Sequence, residues 1–78
     1  MFDLPSDLEV TLPRVTTIGN KSIKIENYIA IIEYSDKMIK IQTKNNILKI
    51  HGDNLIIKYI TEEDALIEGK IYSIEYWV

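Results

Sequence analysis

Catalytic chemistry in this sequence would have to centre on its one histidine. His51 stands two residues before Asp53, and a general base oriented by a carboxylate is the chemistry that this spacing could serve. Catalysis also needs a nucleophile and a pocket, and the chain has no cysteine. A partly exposed histidine at the end of a strand, just before Gly52, is the commoner use of such a residue. We therefore predict no catalytic residue and no enzymatic activity.

The sequence likewise has few residues that could bind a metal or a cofactor. Glu62, Glu63 and Asp64 form the densest acidic run and could offer oxygen ligands to a hard cation. The run lacks the spaced carboxylates and the glycine of a calcium loop, and one imidazole without cysteine leaves a zinc shell incomplete. The run is therefore predicted to be a solvated turn between two strands. We expect no metal, no cofactor and no small-molecule substrate.

Lysines recur about once per predicted strand, which raises nucleic acid as a ligand to consider. With interleaved tyrosines they could form the positive, stacking face of an OB-like nucleic-acid-binding domain. Glutamates occupy comparable outward positions, however, and twelve acidic against nine basic residues give a net charge of -3. Alternating charges on a solvated face also stabilise cross-strand pairs and discourage aggregation. We keep the OB-like domain as the alternative function and expect no nucleic-acid partner. The lysines and tyrosines concerned are Lys24, Lys40, Lys49, Lys58, Lys70, Tyr28, Tyr34, Tyr59 and Tyr76.

The elements that would position these side chains are predicted to be strands. Sixteen isoleucines, three valines and five threonines stand against two alanines, and β-branched side chains favour a pleated sheet. Apolar and polar residues alternate, for example over 23–26 and 39–43, and turn residues separate such runs at intervals of about ten. This pattern predicts an all-β fold: a small antiparallel meander of seven to eight short strands forming a flattened barrel or sandwich. Residues 9–78 are predicted to form this single β domain, and residues 1–8 a short N-terminal arm.

Two segments break the alternation and indicate where the chain binds other molecules. In residues 28–32 and 55–60, apolar side chains occur in both phases of the pleat, so both faces of these strands are expected to be buried. The cover could be a second layer of the same sheet or another copy of the chain. Aromatic residues near position 78 and apolar residues of the arm add further contact candidates. The predicted interaction surface comprises Phe2, Leu4, Tyr28, Ile29, Ile31, Ile56, Tyr76 and Trp77.

The order of these features resembles the YabP/YqfC family of sporulation proteins, and its YqfC branch more closely. The resemblance extends from about residue 4 to the end, and its strength lies in the order of the pieces. Two positions depart from the family pattern: Tyr28, where histidine is common, and Ala30, where glycine is usual. The pieces are Leu12-Pro13-Arg14, Ile18-Gly19-Asn20, Ile25-Glu26-Asn27-Tyr28, Ile32-Glu33-Tyr34, the run from Leu48 through Gly52 and Leu55 to Ile57, and the run from Ile67 through Gly69 to Tyr76.

The resemblance implies a role in endospore formation in the mother cell, without enzymatic activity and with a membrane-associated sporulation protein as partner. The residues themselves favour a small interaction or assembly module that forms a homo-oligomer or docks on such a partner. A cysteine-free chain fits the reducing cytoplasm. We also expect no direct membrane insertion, since no apolar run approaches the ~20 residues that span a bilayer.

Overall fold

A computed structural model describes residues 12–44 and 46–77, and these residues form six strands. The predicted arm at 1–8, with Phe2 and Leu4, lies outside the described residues. The strands are β1 (Arg14–Ile18), β2 (Ser22–Glu26), β3 (Tyr28–Tyr34), β4 (Met38–Thr43), β5 (Ile47–Ile60) and β6 (Asp64–Trp77).

All six strands belong to one antiparallel sheet with the order β1-β2-β6-β5-β4-β3. Neighbours in sequence are neighbours in the sheet except at the connection from β2 to β3, where Asn27 adopts a left-handed conformation (φ 62°). This connection carries the chain from β2, second in the strand order, to β3 at the far end. The prediction of an all-β antiparallel fold is confirmed.

The strand count differs from the predicted seven to eight because β5 and β6 are each 14 residues long. The turn-like residues at Gly52-Asp53-Asn54 and at Gly69 do not end strands. They bend two continuous strands that stay paired on both sides of the bend, with register shifts between His51 and Gly52 and between Asp53 and Ile56. Glycine and asparagine with a positive φ serve a bend as well as a tight turn.

The two bends have equivalent surroundings. The Gly52 amide donates a hydrogen bond to the Lys37 carbonyl (3.0 Å), in the turn between β3 and β4. The Gly69 amide donates to the Lys21 carbonyl (3.1 Å), in the turn between β1 and β2. Each long strand therefore bends over the turn of the hairpin that flanks it, and the two halves of the molecule repeat one arrangement.

We name these halves for use below. The first half-sheet consists of β1, β2, residues 64–68 of β6 and residues 56–60 of β5. The second half-sheet consists of β3, β4, residues 47–51 of β5 and residues 73–77 of β6.

The core lies between the two half-sheets. Ile23 and Ile25 of the first half-sheet belong to the same buried cluster as Ile39 and Ile41 of the second, and these four are fully buried. A single layer cannot exclude water from one of its own faces, and the described residues contain no helix to cover it, nor one that could span a membrane. The sheet therefore folds over at its two bends and provides its own cover. The remaining cluster members are Leu48, Ile50, Leu55, Ile67 and Ile71.

Candidate functional site at the open edges of the sheet

The exposed apolar side chains of this protein lie on the edges of its sheet. In each half-sheet the two inner strands have a neighbour on both sides, whereas each outer strand has one side to which no described residue pairs. The outer strands are β1 and residues 56–60 in the first half-sheet, and β3 and the last part of β6 in the second. Nine of the ten exposed large apolar residues of the described chain lie on them: Ile18, Ile29, Ile32, Tyr34, Ile56, Tyr59, Ile60, Tyr76 and Trp77. The tenth, Tyr72, lies in the bend of β6 just before residue 73.

The four edges differ in regularity. Strand β3 has register shifts on both sides of Ile31, and residues 56–60 have one between Ile57 and Tyr59. Strand β1 pairs with β2 over five consecutive residues without a shift, and residues 73–77 pair with β5 in the same way. Bulges twist an edge away from a partner strand, so the two unshifted edges are the better templates for strand addition.

The structure distributes the predicted interaction residues over three edges. Ile29 is 59% exposed on β3, Ile56 is 49% exposed on the other half-sheet, and Tyr76 and Trp77 lie at the end of β6. Ile31 is half-buried and packs against the core. These residues therefore do not form one contiguous patch, although the exposed ones all lie at open edges.

Tyr28 has a structural contact that the sequence did not reveal. It is half-buried against the core, and its hydroxyl donates a hydrogen bond to the carbonyl of Thr61 in the turn between β5 and β6. The Asn27 amide, one residue earlier, donates to the Glu63 carbonyl in the same turn (2.8 Å). The start of β3 is thereby tied to the first half-sheet.

The two segments with apolar residues in both phases remain uncovered on one side by the described chain. Ile32 (48% exposed) and Tyr59 (41%) were not among the predicted contact residues, and neither were Ile18, Tyr34, Ile60 and Tyr72. An apolar residue in the outward phase of an alternating strand is the signal that marks such positions. That signal becomes informative only when the strand is known to lie at an edge.

His51 takes part in a cross-strand contact with a glutamate. Its Nε2 lies 2.6 Å from Oε1 of Glu75, without the alignment of a hydrogen bond to any described residue. Asp53 contacts Lys37 instead, with 3.5 Å between Nζ and Oδ1. The histidine and the aspartate that lie two residues apart in sequence thus have different partners in space.

The lysines are divided between the half-sheets and are engaged individually. Nζ of Lys40 lies 3.4 Å from Glu33, and that of Lys58 lies 3.9 Å from Glu68. Lys49 lies 3.7 Å from the centre of the Trp77 ring, which is cation–π geometry. Lys24 and Lys58 belong to the first half-sheet, Lys40 and Lys49 to the second, and Lys70 to the bend of β6, so the five lysines do not form one stripe.

The acidic run at Glu62 to Asp64 forms a turn, as the sequence suggested. The Thr61 amide donates to the Asp64 carbonyl (2.7 Å), and the Asp64 amide donates to the Thr61 hydroxyl (2.9 Å). Within residues 12–44 and 46–77, no group of three His, Asp or Glu side chains could hold a metal ion, and no pocket is present.

Comparison with known proteins shows the family to which this chain belongs. A sequence model of the YabP family matches residues 10–77 of this chain. The chain belongs to the YabP/YqfC family. It is also 34% identical over 75 residues to "Uncharacterized protein YqfC" of Bacillus subtilis (strain 168), a match that covers 96% of this chain and 81% of the relative. The resemblance drawn from the strand and turn motifs is confirmed, and membership of this family suggests a sporulation-related protein.

Proposed function

We propose that this protein is a non-enzymatic sporulation protein that works as a small β-rich assembly module in the mother-cell cytoplasm. Its open sheet edges pair with a second copy of the chain, or dock on a membrane-associated sporulation protein. The observation that carries the proposal is that nine of the ten exposed large apolar residues of the described chain lie on the four outer strands.

Strand addition explains why apolar residues concentrate at these places. An open edge presents unpaired amides and carbonyls that a partner strand can satisfy, and alternate side chains then pack on both faces of the enlarged sheet. A half-exposed isoleucine or tyrosine that becomes buried contributes about 1 kcal/mol, roughly half the value for full burial. The edges offer one such residue on β1, two on residues 73–77, and three each on β3 and on residues 56–60.

The charges at these edges give little protection against pairing. Proteins that must keep an edge free place several charged residues along it. Here each edge has one charged residue. Two of these four residues contact an oppositely charged side chain on the neighbouring strand, and a third contacts a histidine there. The four are Arg14, Glu33, Lys58 and Glu75.

Sedimentation velocity over a wide range of protein concentration tests the self-association. We expect the mass of the wild-type chain to rise with concentration. Ile29→Lys and Ile56→Lys, on the two edges with register shifts, test docking on the partner while circular dichroism stays that of a sheet. Glu62→Lys, at an exposed turn, adds a positive charge away from the edges and serves as the control. A strict monomer at high concentration, together with unchanged partner capture in both isoleucine variants, would contradict the proposal.

Capture from sporulating cells with cross-linking tests the partner. We expect a membrane-associated protein to be recovered with the wild-type chain and with Glu62→Lys, and to be lost with Ile29→Lys or Ile56→Lys. Recovery of the same protein with all four chains would show that the contact does not involve these edges. We expect no salt-sensitive retention of single-stranded DNA or RNA, since Lys40, Lys49 and Lys58 are each engaged within the chain.

A further inference from the structure

Two of the four open edges match each other in length and regularity. Strand β1 pairs with its neighbour over the five residues 14–18, and the end of β6 pairs with its neighbour over the five residues 73–77, both without a register shift. Every other open edge has at least one shift. The two unshifted edges belong to different half-sheets, so each copy of the protein carries both.

The two edges also match in the phase of their side chains. Val15 and Thr17 lie opposite the buried Ile25 and Ile23, so they share the inward face of the first half-sheet. Ile74 and Tyr76 likewise lie on the inward face of the second half-sheet. Their cross-strand neighbours are the buried Ile50 and Leu48. The alternate residues face outward: Arg14, Thr16 and Ile18 on β1, and Ser73, Glu75 and Trp77 on β6.

The charges on the two edges are opposite. Arg14 is the only charged residue of β1, and Glu75 is the only charged residue among residues 73–77. Arg14 lies opposite Glu26 in the register of β1 and β2, but it forms no ion pair in the part of the chain that the structure describes. Pairing β1 with β6 therefore brings together unlike charges, whereas pairing two copies of residues 73–77 about their central residue places Glu75 opposite Glu75.

We propose that β1 of one molecule adds in antiparallel orientation to residues 73–77 of a second copy, with Arg14 opposite Trp77. This inference rests on the proposed function and specifies its surface. In this register all five residue pairs keep inward faces together and outward faces together. Val15 lies opposite Tyr76, and Ile18 lies opposite Ser73.

The side chains that this register brings together also favour it. Arginine stacks on indole faces and reaches the diagonal carboxylate, so Arg14 can contact Trp77 and Glu75 of the second copy at once. A β-branched residue opposite an aromatic residue, as with Val15 and Tyr76, is a favourable cross-strand pair. Because each copy has both edges, the addition can close on itself or continue to further copies.

Disulfide cross-linking tests the pairing, because the chain has no cysteine of its own. Ile18→Cys and Ser73→Cys are placed on separate chains, one of which has a size tag, and equal amounts are mixed under mild oxidation. Directly opposite residues have Cβ atoms close enough for a disulfide. Both parent residues are exposed, so neither change should disturb the fold.

The expected product is the mixed dimer, well above the share of about one half that random collision gives and well above the yield with Glu62→Cys as one partner. If each variant cross-links to itself as readily as to the other, the proposed pairing is wrong. Sedimentation of the wild-type chain distinguishes failure of this pairing from failure of the proposed function. Association without the mixed dimer overturns this pairing alone. A monomer at every concentration also overturns this pairing, and it overturns the proposed function only together with unchanged partner capture by Ile29→Lys and Ile56→Lys.

Charge reversal provides a second test. Arg14→Glu places a carboxylate beside Glu75 of the second copy, and we expect the dissociation constant of self-association to rise about tenfold. Lys21→Glu makes the same change in net charge at an exposed turn and should leave the constant unchanged. Equal effects of the two changes would show that only net charge matters and would contradict the contact.

Discussion

Replacing Gly52 by alanine should destabilise this protein severely, because the bend of β5 leaves no room for a Cβ. An added Cβ would overlap the carbonyl oxygen of Lys70 and come within 2.8 Å of Cδ2 of Leu55. Leu55 is 1% exposed and belongs to the buried core cluster. The Lys70 oxygen belongs to the backbone of β6, so relief requires the two long strands to separate.

The expected cost follows from these contacts. Forcing an extra carbon into a packed interior costs about 1–3 kcal/mol, and each hydrogen bond lost as the strands separate adds about 1 kcal/mol. We therefore expect the free energy of unfolding to fall by about 2–4 kcal/mol. A chain of 78 residues should have a stability of about 4–12 kcal/mol, so the loss is a large part of it.

Urea denaturation followed by circular dichroism measures the effect. With an m-value of about 1 kcal/mol per molar, the midpoint should fall by roughly 2 M or more. Gly19→Ala is the control: φ at Gly19 is positive (55°), unlike φ at Gly52, but an added Cβ at Gly19 meets nothing within 4 Å. That control should lose only about 1 kcal/mol, the cost of a left-handed alanine. A Gly52→Ala midpoint equal to that of Gly19→Ala would refute the account of the bend.

Three further changes test other contacts by the same urea titration. Ile50→Ala removes a fully buried side chain and should cost about 2–5 kcal/mol; a loss under 1 kcal/mol would place Ile50 outside the core. Tyr28→Phe removes the hydrogen bond to Thr61 and should cost about 1 kcal/mol, and no change would mean that water replaces this contact freely. Lys49→Ala should change Trp77 fluorescence and cost about 0.5–1 kcal/mol, and an unaltered spectrum would contradict the stacking.

The alternating pattern predicted the core well because it depends on a local rule. In a strand with one buried face, every second side chain points inward, and Ile23, Ile25, Ile39 and Ile41 are fully buried as that rule requires. The residues opposite them on neighbouring strands face the same side of the sheet. Fold class and core composition could therefore be predicted from the residues alone.

The lengths of the strands could not be predicted in the same way. Gly52, Asn54 and Gly69 have the composition of turns, and Asn54 and Gly69 do have positive φ angles (53° and 144°). Whether such residues reverse the chain or bend it depends on whether pairing continues beyond them. That pairing joins residues of β5 to residues of β6 and is a property of the folded sheet.

The predicted interaction surface was limited for a related reason. The residues of segment 28–32 have apolar side chains in both phases, and the sequence could not tell which of them the molecule covers. Tyr28 and Ile31 pack against the core, while Ile29 and Ile32 are exposed. Both outcomes follow from the position of β3 at the outer edge of its half-sheet.

The sequence by itself determined that this protein is antiparallel β, which faces of its strands are buried, and which family it resembles. These properties depend on side-chain type and on a period of two residues, both of which are local. Only the tertiary structure decided that the sheet folds over at Gly52 and Gly69 and that β1, β3 and the ends of β5 and β6 are left as edges. An edge is the absence of a neighbouring strand, and neighbours are set by contacts between residues far apart in the chain.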